Sequence, residues 1–384
     1  MDLFLIASIF FVFLVIYNII LYPLLISFVS QNKPELEKKD IRNYPSISIL
    51  ISAYNEEKFI EDAILSIINS DYPIEKINII TGSDGSEDKT YEIMNELAEK
   101  HSCLKAFNFP RSGKNRIINE LGKHIRGDFV FYMDADIKLK LNTIKEALSY
   151  FTKDTGAVIC GMDSVNIFED QDIGNMGESA YQRYEEKIRI SESRIFSTVS
   201  ALGAFYGVRT EHYNPLPNDN VLDDYVPLLY VAKKKLRIKY LSNIRVIEQR
   251  TKSTSNEIDR RKRITASGFA TLWQFKSLLF NNFGWYTFAL WSHRIIRWMM
   301  PEFLLFLLLT SFLIENDFSR NLLLYLQLIL YFSGLIGWIT EKINIKIKYF
   351  RFAYLFLSIN YGFFTGFLKF LFNKNLSVWG RKIN

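Results

Sequence analysis

Hydrophobic positions divide the chain into apolar ends and a patterned middle. Residues 3–28 contain no Asp, Glu, Lys or Arg, and the stretch exceeds the roughly 20 residues that cross a bilayer. It has no positive segment before it and is too long for the apolar part of a signal peptide, so an uncleaved anchor is expected. Lys33, Lys38, Lys39 and Arg42 follow, which predicts a cytoplasmic location for this side and an external N-terminus. Residues 295–314 and 322–339 are predicted transmembrane helices, joined into a hairpin by the short connection 315–320. Lys342, Lys346, Lys348 and Arg351 then place the following loop inside again. Residues 352–372 are long enough to span, which would leave the C-terminus outside. They also contain Asn360, Gly362, Gly366 and Lys369. A re-entrant or interfacial helix would instead keep Trp379 and Arg381 cytoplasmic.

The middle, residues 45 to 245, has the periods of a soluble domain. Ile alternates with Ser over 46–52, a strand pattern, and Phe59, Ile60, Ala63, Ile64, Ile67 and Ile68 form a helix face within 56–70. Asp71-Tyr72-Pro73 stops that helix. Residues 77–80 predict a second strand, 88–100 and 114–125 two further helices, and the apolar run 129–133 a buried strand. Strand–helix–strand alternation predicts a doubly wound parallel sheet, in which ligands bind beyond the carboxyl ends of the strands. Asn55, Asp84 and Asp134 each fall just after a predicted strand and should converge. From 250 to 292 a basic turn leads into Phe269, Leu272, Trp273, Phe275, Leu278, Leu279 and Phe280, a mixture suited to helices in a membrane interface.

Composition narrows the classes. With 384 residues the chain suits one soluble domain plus membrane segments. Cys103 and Cys160 are the only cysteines and lack metal-ligand spacing, and the four His form no cluster, so neither a disulfide framework nor a zinc site is expected. The net charge of +6 is local: Lys233, Lys234, Lys235, Arg237 and Lys239 form one basic run, and Arg260, Arg261, Lys262 and Arg263 another. No nucleic-acid recognition motif accompanies them. Beside membrane helices, a surface facing anionic or phosphorylated lipid is the more economical reading, with a solvated face as its alternative.

The chemistry gathers at the strand ends. Asp134 and Asp136, two residues apart after a buried strand, suit a hard divalent cation, Mg²⁺ or Mn²⁺, whose remaining ligands a phosphate would supply. Gly82-Ser83-Asp84-Gly85-Ser86 is built to sit beside a nucleotide: its glycines allow close backbone approach, and Asp84 can accept from a ribose hydroxyl or a uracil N–H. Ala53-Tyr54-Asn55-Glu56 closes the first strand, and by itself reads equally as a helix cap. Lys114 could neutralise a phosphate. Asp223-Asp224 precedes a predicted helix and reads by itself equally as a pair of N-caps. Transfer to a hydroxyl needs a general base on the acceptor side, and Asp224 is the candidate.

In this order the elements resemble family 2 glycosyltransferases of the GT-A fold, specifically membrane-anchored bacterial members. The matching elements are 48–56, Ser83-Asp84-Gly85-Ser86, Gly113-Lys114 with Asn119, Asp134-Ala135-Asp136, Gly203-Ala204 with Arg209, and Asp223-Asp224. The resemblance implies an α/β GT-A domain, Rossmann-like with a doubly wound mixed sheet, over 31–250. It would follow an anchor at 1–30 and precede interface helices at 251–292 and a C-terminal membrane region of two to three helices at 293–384. It implies that Ala53, Tyr54, Glu56 and Asp84 bind the nucleoside end of the donor and that Lys114 lies near the nucleotide. Asp134 would orient donor sugar and diphosphate, Asp136 would hold the metal, and Gly203 and Ala204 would line the acceptor cleft. Asp224, beside Asp223, would be the base of an inverting transfer. Processive members carry a Gln-x-x-Arg-Trp motif; here the stretch reads Arg260-Arg261-Lys262-Arg263-Ile264. The missing Trp argues against polymerisation, and Arg260 and Arg263 could instead cradle a diphosphate.

The expected function is transfer from a nucleotide sugar, UDP favoured and GDP open, to a lipid-linked or membrane-proximal acceptor in envelope polysaccharide or glycolipid synthesis. The expected location is the inner membrane with the catalytic domain cytoplasmic. The alternatives are a processive synthase that exports its polymer and a non-catalytic nucleotide-sugar-binding membrane protein.

Overall fold

The structure is a computed structural model and describes residues 2–166, 176–217, 221–250, 257–343, 345 and 347–372. It opens with α1 (Leu3–Gln31), long and apolar enough to cross a membrane. The Asp2 carboxylate caps it, accepting from the N–H groups of Phe4 and Leu5 at 2.9 and 3.1 Å. One turn, Tyr17–Leu21, is π-helical and precedes Pro23. Proline lacks an N–H and crowds the carbonyl four residues back, so that carbonyl needs another donor. The Tyr184 hydroxyl donates here, 3.1 Å from the Ile19 carbonyl and 3.3 Å from that of Asn18.

Chain order then runs β1 (Ile47–Ala53), α2 (Ile60–Ile68), β2 (Ile77–Asp84), α3 (Thr90–Lys100), β3 (Leu104–Phe109), α4 (Lys114–Gly122), β4 (Phe129–Asp134), β5 (Ile137–Lys138), α5 (Thr143–Ser149) and β6 (Thr155–Asn166). After α6 (Met176–Ile195) come β7 (Phe205–Arg209), α7 (Val226–Lys233) and β8 (Arg237–Arg250). The strands form one sheet in the order β3-β2-β1-β4-β7-β6-β8-β5. β1 to β4 are parallel, as the alternation predicts, but β7 enters antiparallel to β4 and to β6, so the sheet is mixed. β3 and β7 carry no strong period in sequence. β7 is decisive, because its amino end brings Gly203 and Ala204 to the edge where β4 ends.

The alternation in β1 has a direct packing cause. Ile47, Ile49 and Ile51 face one core, shared with Ile60 and Ile64 of α2, Met94 of α3 and Ile144 of α5. Leu50 faces the other, with Ile117 and Leu121 of α4 and Leu228 and Leu229 of α7. The buried Ser48 shares that second face and is satisfied by Arg126, whose N–H donates to its hydroxyl at 2.8 Å. The second core continues without a break into helices beyond residue 250.

Those helices are α8 (Glu257–Gln274), α9 (Trp285–Trp298), α10 (Met300–Phe312), α11 (Asp317–Lys342) and α12 (Lys348–Phe372). The sequence reading of 295–314 as one span needs correction: α9 and α10 meet at 62°. Met299 leaves helical geometry and Pro301 starts α10 afresh, where its missing N–H costs nothing. α11 is a full span by length and composition. α12 also passes that test and packs against α11 and α8. Gly334 and Gly337 of α11 approach Leu357 and Phe350 of α12. Farther along α12, Gly362 meets Arg261 and Ile258 of α8, and Gly366 meets Lys262 and Thr265. Trp379 and Arg381 lie outside the described residues.

The basic run at 233–239 is corrected in part: Lys233, Lys234 and Lys235 are exposed, but Arg237 and Lys239 turn into the protein. Lys239 is buried and donates to the Tyr150 carbonyl at 3.0 Å and the Thr152 hydroxyl at 2.9 Å; burial pushes its pKa down to about 8. Arg237 donates to the carbonyls of Phe196 and Ser193 at 2.8 and 3.0 Å. The strand period sends these two inward as backbone ties rather than to solvent or lipid.

Candidate active site

A cleft of about 330 Å³ opens where the parallel strands end. Ala53, Tyr54 and Glu56 follow β1, Asp84 closes β2, and Asp134 and Asp136 follow β4. Gly203, Asp223, Asp224 and, from α8, Arg260, Arg263 and Ile264 complete its far side. Ala53, Tyr54, Glu56, Asp84, Lys114, Asp134, Asp136, Gly203, Asp223, Asp224, Arg260 and Arg263 all line this cleft, whereas Asn55, Asn119 and Arg209 do not, and neither does Ala204. That residue is buried beneath it, and its carbonyl accepts from the Asp134 N–H at 3.2 Å.

The nucleotide end differs from expectation in detail. Asp84 is 2% exposed and already saturated: it accepts from the Ser112 N–H at 2.6 Å, the Gly113 N–H at 3.0 Å and the Arg111 guanidinium. Arg111 in turn stacks on the Tyr54 ring, 3.5 Å from its centroid. The 111–113 segment is thereby pinned to the end of β2, and Arg111 joins Tyr54 at the cleft wall. The sequence reading passed over Arg111; its only signal was a place one residue before Ser112-Gly113-Lys114. The glycines also act differently. Gly85 adopts φ +64°, and a Cβ there would lie 2.7 Å from the Arg111 backbone nitrogen, whereas Gly82 is closed off by Ile117 and Leu121 rather than by ligand space.

At the centre, Lys114 bridges two carboxylates. Its ammonium is 2.7 Å from both Asp134 and Asp223, and this pairing raises its pKa although burial opposes it. One ammonium cannot offset the neighbouring acids together. Burial, with Asp223 adding to it, keeps Asp134 above the usual carboxylate range despite Lys114. Burial and then Asp223 push Asp224 up to about 7, with Lys114 and Arg294 acting against the shift. Burial, reinforced by Asp134, Glu248 and Glu56, pushes Asp136 to about 8. Glu248 was not anticipated. It sits on β8 opposite Ile137 of β5, so only the strand pairing brings it to the acid pair.

The acidic segment is held from both sides. Asn115 of α4 donates to the Val221 carbonyl at 3.0 Å, and the Leu222 N–H donates to the Thr271 hydroxyl of α8 at 2.9 Å. A Cβ on Gly203 would lie 3.4 Å from an Asp224 carboxylate oxygen and 3.5 Å from one of Asp134. Any larger side chain would enter the gap between them. Arg209, grouped with these residues by sequence, instead ties three backbone carbonyls, those of Thr155, Phe151 and Thr152.

Residues 48–207, the stretch from β1 through most of β7, match the Glycosyl transferase family 2 profile. The chain carries a family 2 glycosyltransferase domain. The chain is 27% identical over 115 residues to the beta-monoglucosyldiacylglycerol synthase of Synechocystis sp., covering 29% of this chain and 24% of that protein. It is 32% identical over 105 residues to the poly-beta-1,6-N-acetyl-D-glucosamine synthase of Staphylococcus epidermidis, covering 27% of this chain and 25% of that one. The matches span 24% to 43% of the first curated relatives. The family 2 domain and its helices together resemble the mannosyltransferase PcManGT from Pyrobaculum calidifontis, solved with GDP-Man and Mn²⁺. The TM-score is 0.73 at 18% identity, over 97% of this chain and 100% of that one. At this identity the likeness is one of fold, a mixed α/β sheet of the GT-A kind.

Proposed function

We propose that the protein is an inverting glycosyltransferase that moves a sugar from a nucleoside diphosphate to the hydroxyl of a lipid-linked or membrane-proximal acceptor, in envelope polysaccharide or glycolipid synthesis. One observation carries the reading: the Arg111–Tyr54 stack, the Lys114 bridge between Asp134 and Asp223, and Asp136 and Asp224 all line a single cleft. The nucleoside lies against Tyr54 and Arg111, and the diphosphate reaches Lys114. The acceptor enters past Gly203, between Asp224 and the arginines of α8.

Asp136 and Asp134 fit a divalent cation, Mg²⁺ or Mn²⁺. Their donors are oxygens, and among the described residues no cationic side chain pairs with Asp136 to offset its neighbours. No group of three or more His, Cys, Asp or Glu among the described residues could hold a metal alone, so the donor phosphates would complete the coordination. When bound, the ion supplies Lewis-acid stabilisation of the leaving diphosphate. Asp224 accepts the acceptor's hydroxyl proton as its oxygen bonds to the anomeric carbon. The bond from that carbon to the diphosphate oxygen breaks with its electron pair, and Lys114 offsets the charge that builds there. Attack from the face opposite the leaving group inverts the anomeric centre.

The same reading puts α1, α11 and the bent α9–α10 pair in the cytoplasmic membrane. It puts the 31–250 domain in the cytoplasm, and α12, packed along α8, at the membrane surface. Ile264 lines the cleft at the Trp position of processive enzymes, which favours single transfer. The test is turnover of labelled nucleotide sugars by detergent-purified protein with a bacterial lipid extract, with Mn²⁺, Mg²⁺ or EDTA. A short glycolipid that vanishes with EDTA is expected. A high-mass polymer would replace the proposal with a synthase, and nucleotide-sugar binding without transfer in any arm would replace it with a non-catalytic binder.

A further inference from the structure

The cleft accounts for the acids but leaves a group of arginines beside it. α6, α8 and α9 meet around Tyr181, whose ring lies 4.8 Å from the Arg261 guanidinium. Arg189 of α6 and Arg294 of α9 both donate to one acceptor, the Ser200 hydroxyl, at 2.9 and 2.6 Å. Ser200 is buried at the start of the segment that leads to Gly203. Arg294 also donates to the Val199 carbonyl at 3.3 Å and lies 5.7 Å from the ring of Tyr225, next to Asp224.

The local carboxylates are committed elsewhere. Glu185 pairs with Arg297 and with His293, the latter at 3.1 Å. Glu186 pairs with Arg245 at 2.5 Å and accepts from Tyr240 at 2.9 Å. Glu192 takes His293 at 2.7 Å, Tyr22 at 2.7 Å and Thr198 at 3.0 Å. Among the described residues neither Arg189 nor Arg294 forms an ion pair with a carboxylate. Two guanidiniums converging on a neutral hydroxyl repel each other, and both side chains are half-buried, so solvent only partly offsets the cost. Electrostatic signs agree: burial alone would raise the Tyr181 phenol, but Arg261, Arg297, Arg294 and Arg189 together bring it below its ordinary value. Such a concentration of fixed planar donors suits a tetrahedral oxyanion, which accepts bidentate guanidinium bonds.

We propose that Arg189 and Arg294, with Ser200 between them and Arg261 and Tyr181 alongside, form a receptor for a phosphate group carried by the acceptor. The inference rests on the glycosyl-transfer reading above and narrows its acceptor to a phosphorylated one. Its place supports this. The receptor lies beside Asp224, so a bound phosphate would hold the rest of the acceptor near the base. Arg294 is on the helix that leads directly into the apolar α10, where a lipid phosphate would lie. A soluble phosphorylated glycan would present the same chemistry.

The experiment uses full-length protein in nanodiscs of neutral phosphatidylcholine. Thermal unfolding is followed with a polyprenyl phosphate, the matching polyprenol, or a soluble sugar 1-phosphate. Protection by a phosphate-bearing probe and not by polyprenol is expected, and which phosphate protects names the source. In Arg189→Gln/Arg294→Gln the affinity for that probe should fall at least tenfold while nucleotide-sugar affinity is kept. Equal protection by phosphate and alcohol, or undiminished phosphate affinity in the double variant, would overturn the receptor. The contrast between phosphate and alcohol in the wild type decides the matter even if the variant does not fold. Failure of every nucleotide sugar to bind or react would instead overturn the transferase reading.

Discussion

Replacing Asp224 with Asn separates the proposed base from everything else in the cleft. The two side chains have the same shape, so the contacts around Gly203 and the ties at Asn115 and Thr271 persist. What disappears is the proton acceptor and one of four crowded carboxylates. A positioned general base contributes roughly 10²–10⁴ in rate, or about 2.7–5.5 kcal/mol of barrier. Because burial and Asp223 push Asp224 up to about 7, turnover of the wild type should fall tenfold per pH unit below that value and level off above it. The stability effect has the opposite sign to the usual carboxylate case. The native carboxyl holds its proton more tightly than the unfolded chain does, so its contribution to stability declines as pH rises from the ordinary carboxylate range through about 7. The amide of the Asp224→Asn variant cannot ionise, so that variant should melt no lower than the wild type at alkaline pH. The assay is initial rate at saturating donor across pH, with donor affinity measured separately. A variant within tenfold of wild-type turnover, or one that keeps the acid limb, would refute the assignment of the base.

Asp136→Asn should abolish turnover and remove the Mn²⁺ dependence of nucleotide-sugar binding in calorimetry; metal-dependent binding that survives would take Asp136 out of the metal site. Lys114→Met leaves Asp134 and Asp223 facing each other without their shared cation. It should cost about 1–3 kcal/mol in chemical denaturation, below the figure for a fully buried pair because Asp134 is about a third exposed, and should weaken donor binding; unchanged stability would mean that the bridge is not formed in solution. Gly366→Ala places a Cβ 2.7 Å from the Lys262 carbonyl oxygen, which should push α12 off α8 at about 1–3 kcal/mol and raise the acceptor KM more than the donor KM. A melting temperature equal to wild type would show that the two helices are not packed this closely.

Some of this was legible from local pattern alone. The period of Ile in 46–52 and the helix face in 56–70 each record which side of one element is buried, and parallel strands must end at a common edge. Asp84 and Asp134 sit at those ends, so their convergence followed without any knowledge of distant contacts, whereas Asn55, expected with them, does not line the cleft and accepts from the Glu87 N–H instead. The length of 3–28 without charge likewise needed only the thickness of a bilayer. Tertiary structure decided the rest, because the deciding contacts join residues far apart in sequence. The antiparallel insertion of β7 carries Gly203 to Asp134, and the pairing of β5 with β8 brings Glu248 to Asp136. Burial turned Lys239 from an apparent surface charge into a backbone tie. Arg189 and Arg294 lie about a hundred residues apart on separate helices, and no period in either helix marks the serine on which they meet. Local sequence encodes which face of an element avoids water; which charges must share one space is set only when those faces close on each other.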